Sequence, residues 1–175
     1  MSNIYVISDS HFGHANILNF KDLDGDPLRV FDDVNHMNEH MIERWNSVVC
    51  VQDKVYHLGD VVTKCGEPER ILSRLQGHKR LVLGNHDQSK MKFYAPFFEE
   101  IYSTRLLDKM LLSHIPVHPY SFGKALVNVH GHVHANVSDD HFGKAYYNVS
   151  VEVLDDYTPI SFEELKKRAL KKLNS

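Results

Sequence analysis

The chain has 175 residues, of which 42% are hydrophobic and 25% are charged, and its formal net charge is −3. This composition is typical of a folded globular protein, and it excludes a disordered chain and a strongly basic nucleic-acid-binding chain. No stretch approaches the roughly 20 apolar residues of a membrane span, and the N-terminus lacks the basic and apolar regions of a signal peptide. We therefore expect one domain over residues 1–175, a cytoplasmic location and no membrane partner.

Strands and helices alternate in the first half of the chain. The runs IYVIS (4–8), KVYHLGD (54–60) and KRLVLGNHD (79–87) each combine an apolar segment with a polar end, as buried strands do. Apolar residues at three- and four-residue spacing over 34–48 predict an amphipathic helix, with Asp32 or Asp33 as its N-cap. A second helix is expected up to Gly77, and a third near residues 91–98.

Strands predominate in the second half, in the runs RLLDKMLLSH, ALVNVHGH and AYYNVSVEV. The chain closes with a predicted helix, for which Ser161 and Glu164 form a capping box. This helix carries the basic run KKRALKK, but Glu163 and Glu164 stand four residues before Lys167 and Arg168, which indicates a solvated face rather than a nucleic-acid contact. The order of elements predicts a layered α/β sandwich with mixed sheets.

The chain contains 13 histidines, an unusually large number, and histidine is the commonest metal ligand. Potential ligands follow five separate predicted strands: Asp9 and His11; Asp60; Asn85 with His86 and Asp87; His114; and His132 with His134. Glycines beside several of them permit tight turns that direct the neighbouring side chains. Because α/β folds place their sites at the carboxyl ends of strands, we expect these residues to meet at one edge.

The motifs DSH (9–11), GD (59–60), GNHD (84–87), SH (113–114) and GHVH (131–134) together resemble the signature of the calcineurin-like metallophosphoesterase superfamily. The segments DSHFGHANI and NVSVEVLDDYTPISFEEL are similar to those of its small single-domain bacterial and phage members. The resemblance implies a four-layer α-β-β-α sandwich with two mixed β-sheets. It also implies two divalent metal ions, with Mn²⁺ favoured and Fe, Zn²⁺ or Ni²⁺ as alternatives. Carried over by residue, one ion has the ligands Asp9, His11, Asp60 and His134, and the other has Asp60, Asn85, His114 and His132.

Charge supports this ligand set, because two divalent ions outweigh Asp9, Asp60 and one bridging hydroxide by about one positive charge, which attracts phosphate. His86 resembles the family histidine that lies beside the phosphate, where it protonates the leaving alkoxide. Asp87 either orients His86 or caps the following helix. His14 and Asn16 either contact the substrate, as Asn85 does, or only fix the first loop by hydrogen bonds.

The sequence thus predicts a dinuclear phosphoesterase that hydrolyses a phosphodiester or nucleotide-type ester by attack of a metal-bridged hydroxide, with His86 as acid. The stretch GDVVTKCG lacks the Asp-Arg pair of the related Ser/Thr protein phosphatases, which argues against a phosphoprotein substrate. The expected partner is a small phosphate ester. The alternatives are a phosphomonoesterase of the same fold, a metal-binding scaffold without catalysis, and a mononuclear zinc hydrolase, although HVHANV lacks the continuation that the last requires.

The stretch VHGHVH (129–134) places three histidines at alternate positions. On a strand, His132 and His134 would share one face at a separation of about 6.6 Å, so that each binds a different metal. His130 is predicted to pack against its neighbours or to support the ligands without binding metal, and the same is expected of His57 inside its strand.

Overall fold

Two β-sheets form the centre of the molecule in the computed structural model, which describes residues 2–63, 68–87, 91–136 and 141–175. The first sheet has the order β4-β3-β2-β1-β9 and contains β1 (Ile4–Ile7), β2 (Lys54–His57), β3 (His78–Val82), β4 (Glu100–Tyr102) and β9 (Ile160–Ser161). The second sheet contains β5 (Arg105–Leu107), β6 (Met110–Leu112), β7 (Val127–His130) and β8 (Tyr146–Asn148), in that order. Both sheets are mixed, because β9 and β5 run antiparallel to their neighbours.

The described residues form four α-helices that flank the sheets: α1 (Val34–Val48), α2 (Pro68–Leu72), α3 (Met91–Tyr94) and α4 (Phe162–Asn174). The predicted caps of the two long helices are confirmed. The Asp33 carboxylate accepts from the first-turn N–H groups of α1, and Ser161 Oγ accepts from the N–H of Glu164, at 3.3 Å. On α4, Arg168 Nε lies 2.7 Å from Glu164 Oε1, as expected of a solvated face. No helix among the described residues is long and apolar enough to cross a membrane.

The side chains of the first sheet alternate between two apolar cores. Val6, Tyr56 and Val82 pack in one core with buried residues of the second sheet and of α4. Ile7 and Val55 face the other core, which α1 fills with the large side chains Met37, Met41 and Trp45. Two mixed sheets with flanking helices confirm the predicted α/β sandwich.

Two helices are shorter than the sequence indicates. The second ends at Leu72, where the N–H of Arg74 bonds to Ile71 in a tighter turn, so that Leu75 is buried. The third ends at Tyr94, just before Pro96, which restricts the preceding residue and cannot continue a helix. Strands β4 and β9 were not predicted, because segments of three and two residues carry no readable period.

The topology brings the ends of seven parallel strands of the described chain to one edge. Strands β1, β2, β3 and β4 are mutually parallel, and so are β6, β7 and β8. The sheets are joined there, since the N–H of Ser8 bonds to the carbonyl of Val149 (2.9 Å) and the N–H of Val151 to that of Ser8 (3.1 Å). The loops of both sheets therefore meet at the carboxyl edge, where α/β folds place their sites.

Candidate metal centre

The predicted ligands converge at this shared edge and form two groups. Ligand atoms of Asp9, His11 and His134 all lie within 4.8 Å of one another, and so do those of Asp60, His114 and His132. The sequence predicts the same two sets with two additions: Asp60 is also a ligand in the first set, and Asn85 belongs to the second.

Asp60 lies between the two groups. Its Oδ2 is 3.6 Å from His11 Nε2 and 3.4 Å from His114 Nε2. Asn85 joins the second group, since its Oδ1 is 2.8 Å from His114 Nε2. His132 Nδ1 lies 3.2 Å from the same nitrogen. The structure thus brings all seven predicted ligand residues together.

Five of the seven have a left-handed backbone, with φ values of 59° at Asp9, 47° at His11, 56° at Asp60, 69° at His132 and 51° at His134. Residues with a Cβ rarely adopt this conformation, which costs on the order of 1–3 kcal/mol per residue and concentrates at functional sites. The surrounding loops hold it here by hydrogen bonds, such as those from the N–H of Asp9 to Gly59 O (3.0 Å) and of His132 to Asp9 Oδ2 (2.9 Å).

The prediction that His132 and His134 share one face of a strand is wrong. Strand β7 ends at His130, and both residues lie beyond it in loop conformations with positive φ. The physical reason is the close approach of β1, because the Gly131 backbone passes the side chains of Ser8 and Asp9. A Cβ on Gly131 would lie only 2.1 Å from Asp9 Oδ2, so the chain turns away and presents each histidine to a different group.

Glycine is required in the same way beside Asp60. A Cβ on Gly84 would lie 2.2 Å from Asp60 Oδ1, within the van der Waals radii of both atoms. The short N–H contacts that fix this carboxylate, including the one from His86 N to Oδ1 at 2.9 Å, depend on that approach.

The polar atoms of the first group fit a divalent cation. Asp9 Oδ1 and both ring nitrogens of His11 are buried without a hydrogen-bond partner, which is costly unless another group satisfies them. Burial lowers the pKa of His11 to about 2, so its imidazole is neutral and its lone pair is available. Burial also raises the pKa of Asp9, which a bound cation would reverse. Mixed imidazole and carboxylate donors suit Mn²⁺, Fe or Zn²⁺.

The carboxylate of Asp60 is ionised in spite of its burial. Burial by itself raises the pKa of this group, but His114 and the N–H of His86 outweigh it and hold the pKa well below its usual range. Hydrogen bonding to Asp60 likewise raises the pKa of His114 against the effect of burial. The second group therefore carries a fixed negative charge among imidazoles.

An ion pair that the sequence did not predict supports His134. Glu152 Oε1 lies 2.9 Å from His134 Nδ1 and accepts from Arg29 Nε (2.8 Å) and Nη2 (2.6 Å). The side chains of Arg29 and Glu152 are 0% and 2% exposed. Arg29 also donates to the carbonyls of Asp9 (2.5 Å) and Ser10 (2.8 Å). The pair thus holds the first ligand loop and the Nδ1 side of the His134 ring.

Asp87 does not orient the His86 ring, which corrects one of its two predicted roles. Its carboxylate accepts from the N–H groups of Asp60 (2.6 Å) and Gly84 (3.0 Å) and from the Tyr94 hydroxyl (2.7 Å). These bonds hold the loops that carry Asp60 and Asn85. The other predicted role, capping the next helix, falls on residues 88–90, outside the described part of the chain.

Two further histidines are buried away from the ligand groups. His57 accepts from Gly59 N–H at Nδ1 (3.2 Å) and donates from Nε2 to Ser10 Oγ (2.9 Å), since the Ser10 hydroxyl itself donates to Val61 O (2.8 Å). Burial lowers the pKa of His57 to about 3. His130 packs against the rings of Phe142 and Tyr146, in agreement with its expected packing role.

A cleft of about 290 Å³ opens over the centre, and several of the candidate substrate-binding residues line it. His14 and His86 line it together with His11, and each has its ring centroid 5.7 Å from that of His11. The side chain of His86 is 61% exposed, and its Nε2 lies 3.9 Å from Asp60 Oδ2. Asn85 also borders the cleft, whereas Asn16 is exposed and does not line it.

Comparisons with known proteins agree with this geometry. The family model for calcineurin-like phosphoesterases matches residues 2–172. An uncharacterized protein of Methanocaldococcus jannaschii is 34% identical over 174 residues, which is 95% of this chain and 91% of that protein. The gene 66 protein of Mycobacterium phage D29 is 30% identical over 148 residues, 81% of this chain and 64% of its own length.

A solved structure has the same fold over nearly the full length of this chain. The crystal structure of a protein of unknown function from Aquifex aeolicus has a TM-score of 0.75 and 30% sequence identity, and the alignment covers 96% of this chain and 100% of that one. The family match spans every candidate ligand from Asp9 to His134. The chain therefore belongs to the calcineurin-like phosphoesterase family, whose metal-dependent phosphoesterase chemistry agrees with the donors at these strand ends.

Proposed function

We propose that the chain is a phosphodiesterase that uses two divalent metal ions to hydrolyse a small diester or nucleotide-type phosphate ester. The observation that carries the proposal is the position of Asp60, whose Oδ2 lies 3.6 Å from His11 Nε2 in one group and 3.4 Å from His114 Nε2 in the other. One carboxylate between two sets of imidazoles is suited to bridging two ions at the short separation that phosphoester hydrolysis uses.

The ligands divide between two ions in this proposal. The first ion would be held by Asp9, His11 and His134, the second by Asn85, His114 and His132, and both by Asp60. When bound, the ions supply Lewis-acid activation of water and of the phosphoryl oxygens. The protein residues hold the ligand atoms in place and set the charge of the site.

The charge balance favours an anionic substrate. Asp9 and Asp60 are the two carboxylates that face the groups directly. The nearby Glu152 adds no net negative charge, because the buried Arg29 guanidinium pairs with it at 2.6 Å. Two divalent cations would therefore leave the loaded site positive, which attracts a phosphate ester.

His86 is placed to act on the leaving group. Its backbone is fixed by the N–H bond to Asp60 Oδ1 (2.9 Å), while its ring stands 61% exposed in the cleft over the centre. In the proposed reaction the P–O bond to the leaving group breaks, a P–O bond to the water oxygen forms, and the imidazolium gives its proton to the leaving oxygen. Protons released from the water restore His86.

The test measures metal content and turnover on the same preparations. Metal analysis of Mn²⁺-saturated protein is expected to give two ions per chain, with bis-p-nitrophenyl phosphate hydrolysed faster than p-nitrophenyl phosphate. Asp60→Asn is expected to lose metal and to lower kcat/KM about 100-fold or more, because several kcal/mol of charge stabilisation depend on the two ions. Asp24→Asn, at an exposed position, is the matched control and should behave as the wild type.

Each rival function has its own outcome in this test. One metal per chain at saturation would support a mononuclear hydrolase. Two bound metals without turnover of either ester would support a scaffold. Faster hydrolysis of the monoester would support a phosphomonoesterase. Any of these results contradicts the proposal.

A further inference from the structure

A second cleft adjoins the centre, and His86 is not among the described residues that line it. It has a volume of about 420 Å³ and lies between the segment after β6 and the turn that joins β4 to β5. Leu83, Ile115 and Val117 form its apolar wall, and Ser103 and Thr104 contribute polar groups. Ile115 is 49% exposed, so its aliphatic side chain is accessible to a ligand in this cleft.

This second cleft is continuous with the proposed centre. Asn85 lines both clefts, and His114, a ligand of the second group, lines the second one. The His114 ring is fixed there, with Nδ1 2.8 Å from Leu58 O and Nε2 2.8 Å from Asn85 Oδ1. A phosphate ester held at the centre would thus border both clefts, which share Asn85 as a lining residue.

The lining of the second cleft suits an uncharged group. No Lys or Arg is among the described residues that line it, so it offers no side-chain cation to a second phosphate. Aliphatic walls with a few hydroxyl groups fit a flat, weakly polar ring. The first cleft also has an apolar part, formed by Ile17 and Phe20, but it contains His86 as well.

From this arrangement we infer that the second cleft binds the substituent that stays on phosphorus, and that this substituent is a nucleoside or a similar planar group. The inference rests on the proposed function. Because His86 gives its proton to the leaving oxygen, the leaving group lies in the first cleft. The bond to the retained group is not broken, so the second cleft determines which diesters are preferred without taking part in the chemistry.

The test compares two diesters that share one leaving group. These are thymidine 5′-(p-nitrophenyl) phosphate and methyl p-nitrophenyl phosphate, assayed with Mn²⁺-loaded protein. We expect the wild type to prefer the thymidine ester by about tenfold or more in kcat/KM, because its ring buries apolar surface that a methyl group lacks. Ile115→Asp should remove most of this preference, because a carboxylate disfavours burial of the apolar ring. The readout is the ratio of the two kcat/KM values, since any effect of the new charge on the centre acts on both esters.

Leu126→Asp is the matched control, because Leu126 is 45% exposed and precedes β7 at the opposite edge of the same sheet. It should keep the wild-type preference. A readout that does not depend on turnover is saturation-transfer NMR of free thymidine with metal-free protein. Base-proton signals are expected with the wild type and Leu126→Asp and should be lost with Ile115→Asp.

The outcomes separate the inference from the proposed function. Hydrolysis of both esters without a preference, or a preference that Ile115→Asp leaves intact, overturns the second-cleft inference alone. Absence of turnover with both esters in the metal-loaded wild type overturns the proposed function, and the inference with it. A parallel loss of both activities in Ile115→Asp with normal thymidine binding also contradicts the inference.

Discussion

Glu152→Gln tests whether the buried ion pair behind His134 supports the metal centre. The substitution keeps the shape of the side chain but removes the charge that Arg29 pairs with at 2.6 Å, where the two side chains are 2% and 0% exposed. Removing one partner of a buried pair leaves an uncompensated charge and costs about 3–5 kcal/mol. Since the Gln oxygen can still accept one bond, we expect a loss of about 3 kcal/mol in the free energy of unfolding of the metal-free protein.

The same substitution should weaken metal binding. A carboxylate that accepts from the far nitrogen of a ligating histidine orients the ring, and its loss typically costs about 10- to 100-fold in metal affinity. Glu152 Oε1 lies 2.9 Å from His134 Nδ1, so Mn²⁺ affinity measured by calorimetry should fall within that range. The charges around Glu152 agree with the same role. Burial raises the pKa of Glu152, but Arg29 and His134 outweigh it and hold the pKa at about 2.

A folded-state pKa below the unfolded value stabilises the fold above about pH 4.5, and this stability is lost as the pH falls toward 2. Urea denaturation at pH 7.5 measures the loss of unfolding free energy in Glu152→Gln. The same measurement at pH 4 tests the loss of stability with falling pH. Glu39→Gln is the control, because Glu39 also pairs with an arginine, Arg74, but with side chains 60% and 41% exposed. An exposed pair contributes about 0–1 kcal/mol. If Glu152→Gln unfolds like the control and binds Mn²⁺ like the wild type, the supporting role is wrong.

Three other predictions address the acid, the close approach of the backbone and the buried histidine. His86→Ala should lower turnover about 100-fold for a diester with an alkyl leaving group and much less for a p-nitrophenyl ester, with unchanged metal content; equal losses for both esters would contradict the acid role. Gly131→Ala should reduce Mn²⁺ affinity and destabilise the fold by about 1–3 kcal/mol, because its Cβ would lie 2.0 Å from Ser8 Oγ. Gly25→Ala is the control and should leave Mn²⁺ affinity unchanged, because a Cβ there has no atom within 4 Å. Since His57 has a pKa of about 3 in the folded state and about 6.5 when unfolded, stability falls as the pH drops from 6.5 toward 3. Between pH 7.5 and pH 5.5, the free energy of unfolding of His57→Gln should therefore fall by about 1 kcal/mol less than that of the wild type. Urea denaturation of metal-free protein measures both values, and an equal fall would show that His57 is not responsible.

The sequence by itself determines the long elements and the chemistry of the ligands. Helices α1 and α4 are readable because many residues repeat the apolar period and both caps are local, at Asp33 and Ser161. Strands β1, β2 and β3 are readable because each short apolar run is followed within a few residues by a glycine or a carboxylate. Few residue types can bind a metal ion, so Asp9, His11 and the later histidines can be recognised as candidate ligands from the sequence alone.

Tertiary structure decides what depends on contacts between distant segments. Arg29 and Glu152 are 123 residues apart, and no local pattern indicates that they pair behind His134. The left-handed backbone at His132 and His134 follows from the approach of β1 to Gly131 and not from the letters GHVH. Asp87 likewise accepts from the N–H of Asp60, 27 residues earlier, because the loops after β2 and β3 lie side by side. Local sequence sets the side chains available at each strand end, but only the packing of the two sheets sets which of their atoms face one another.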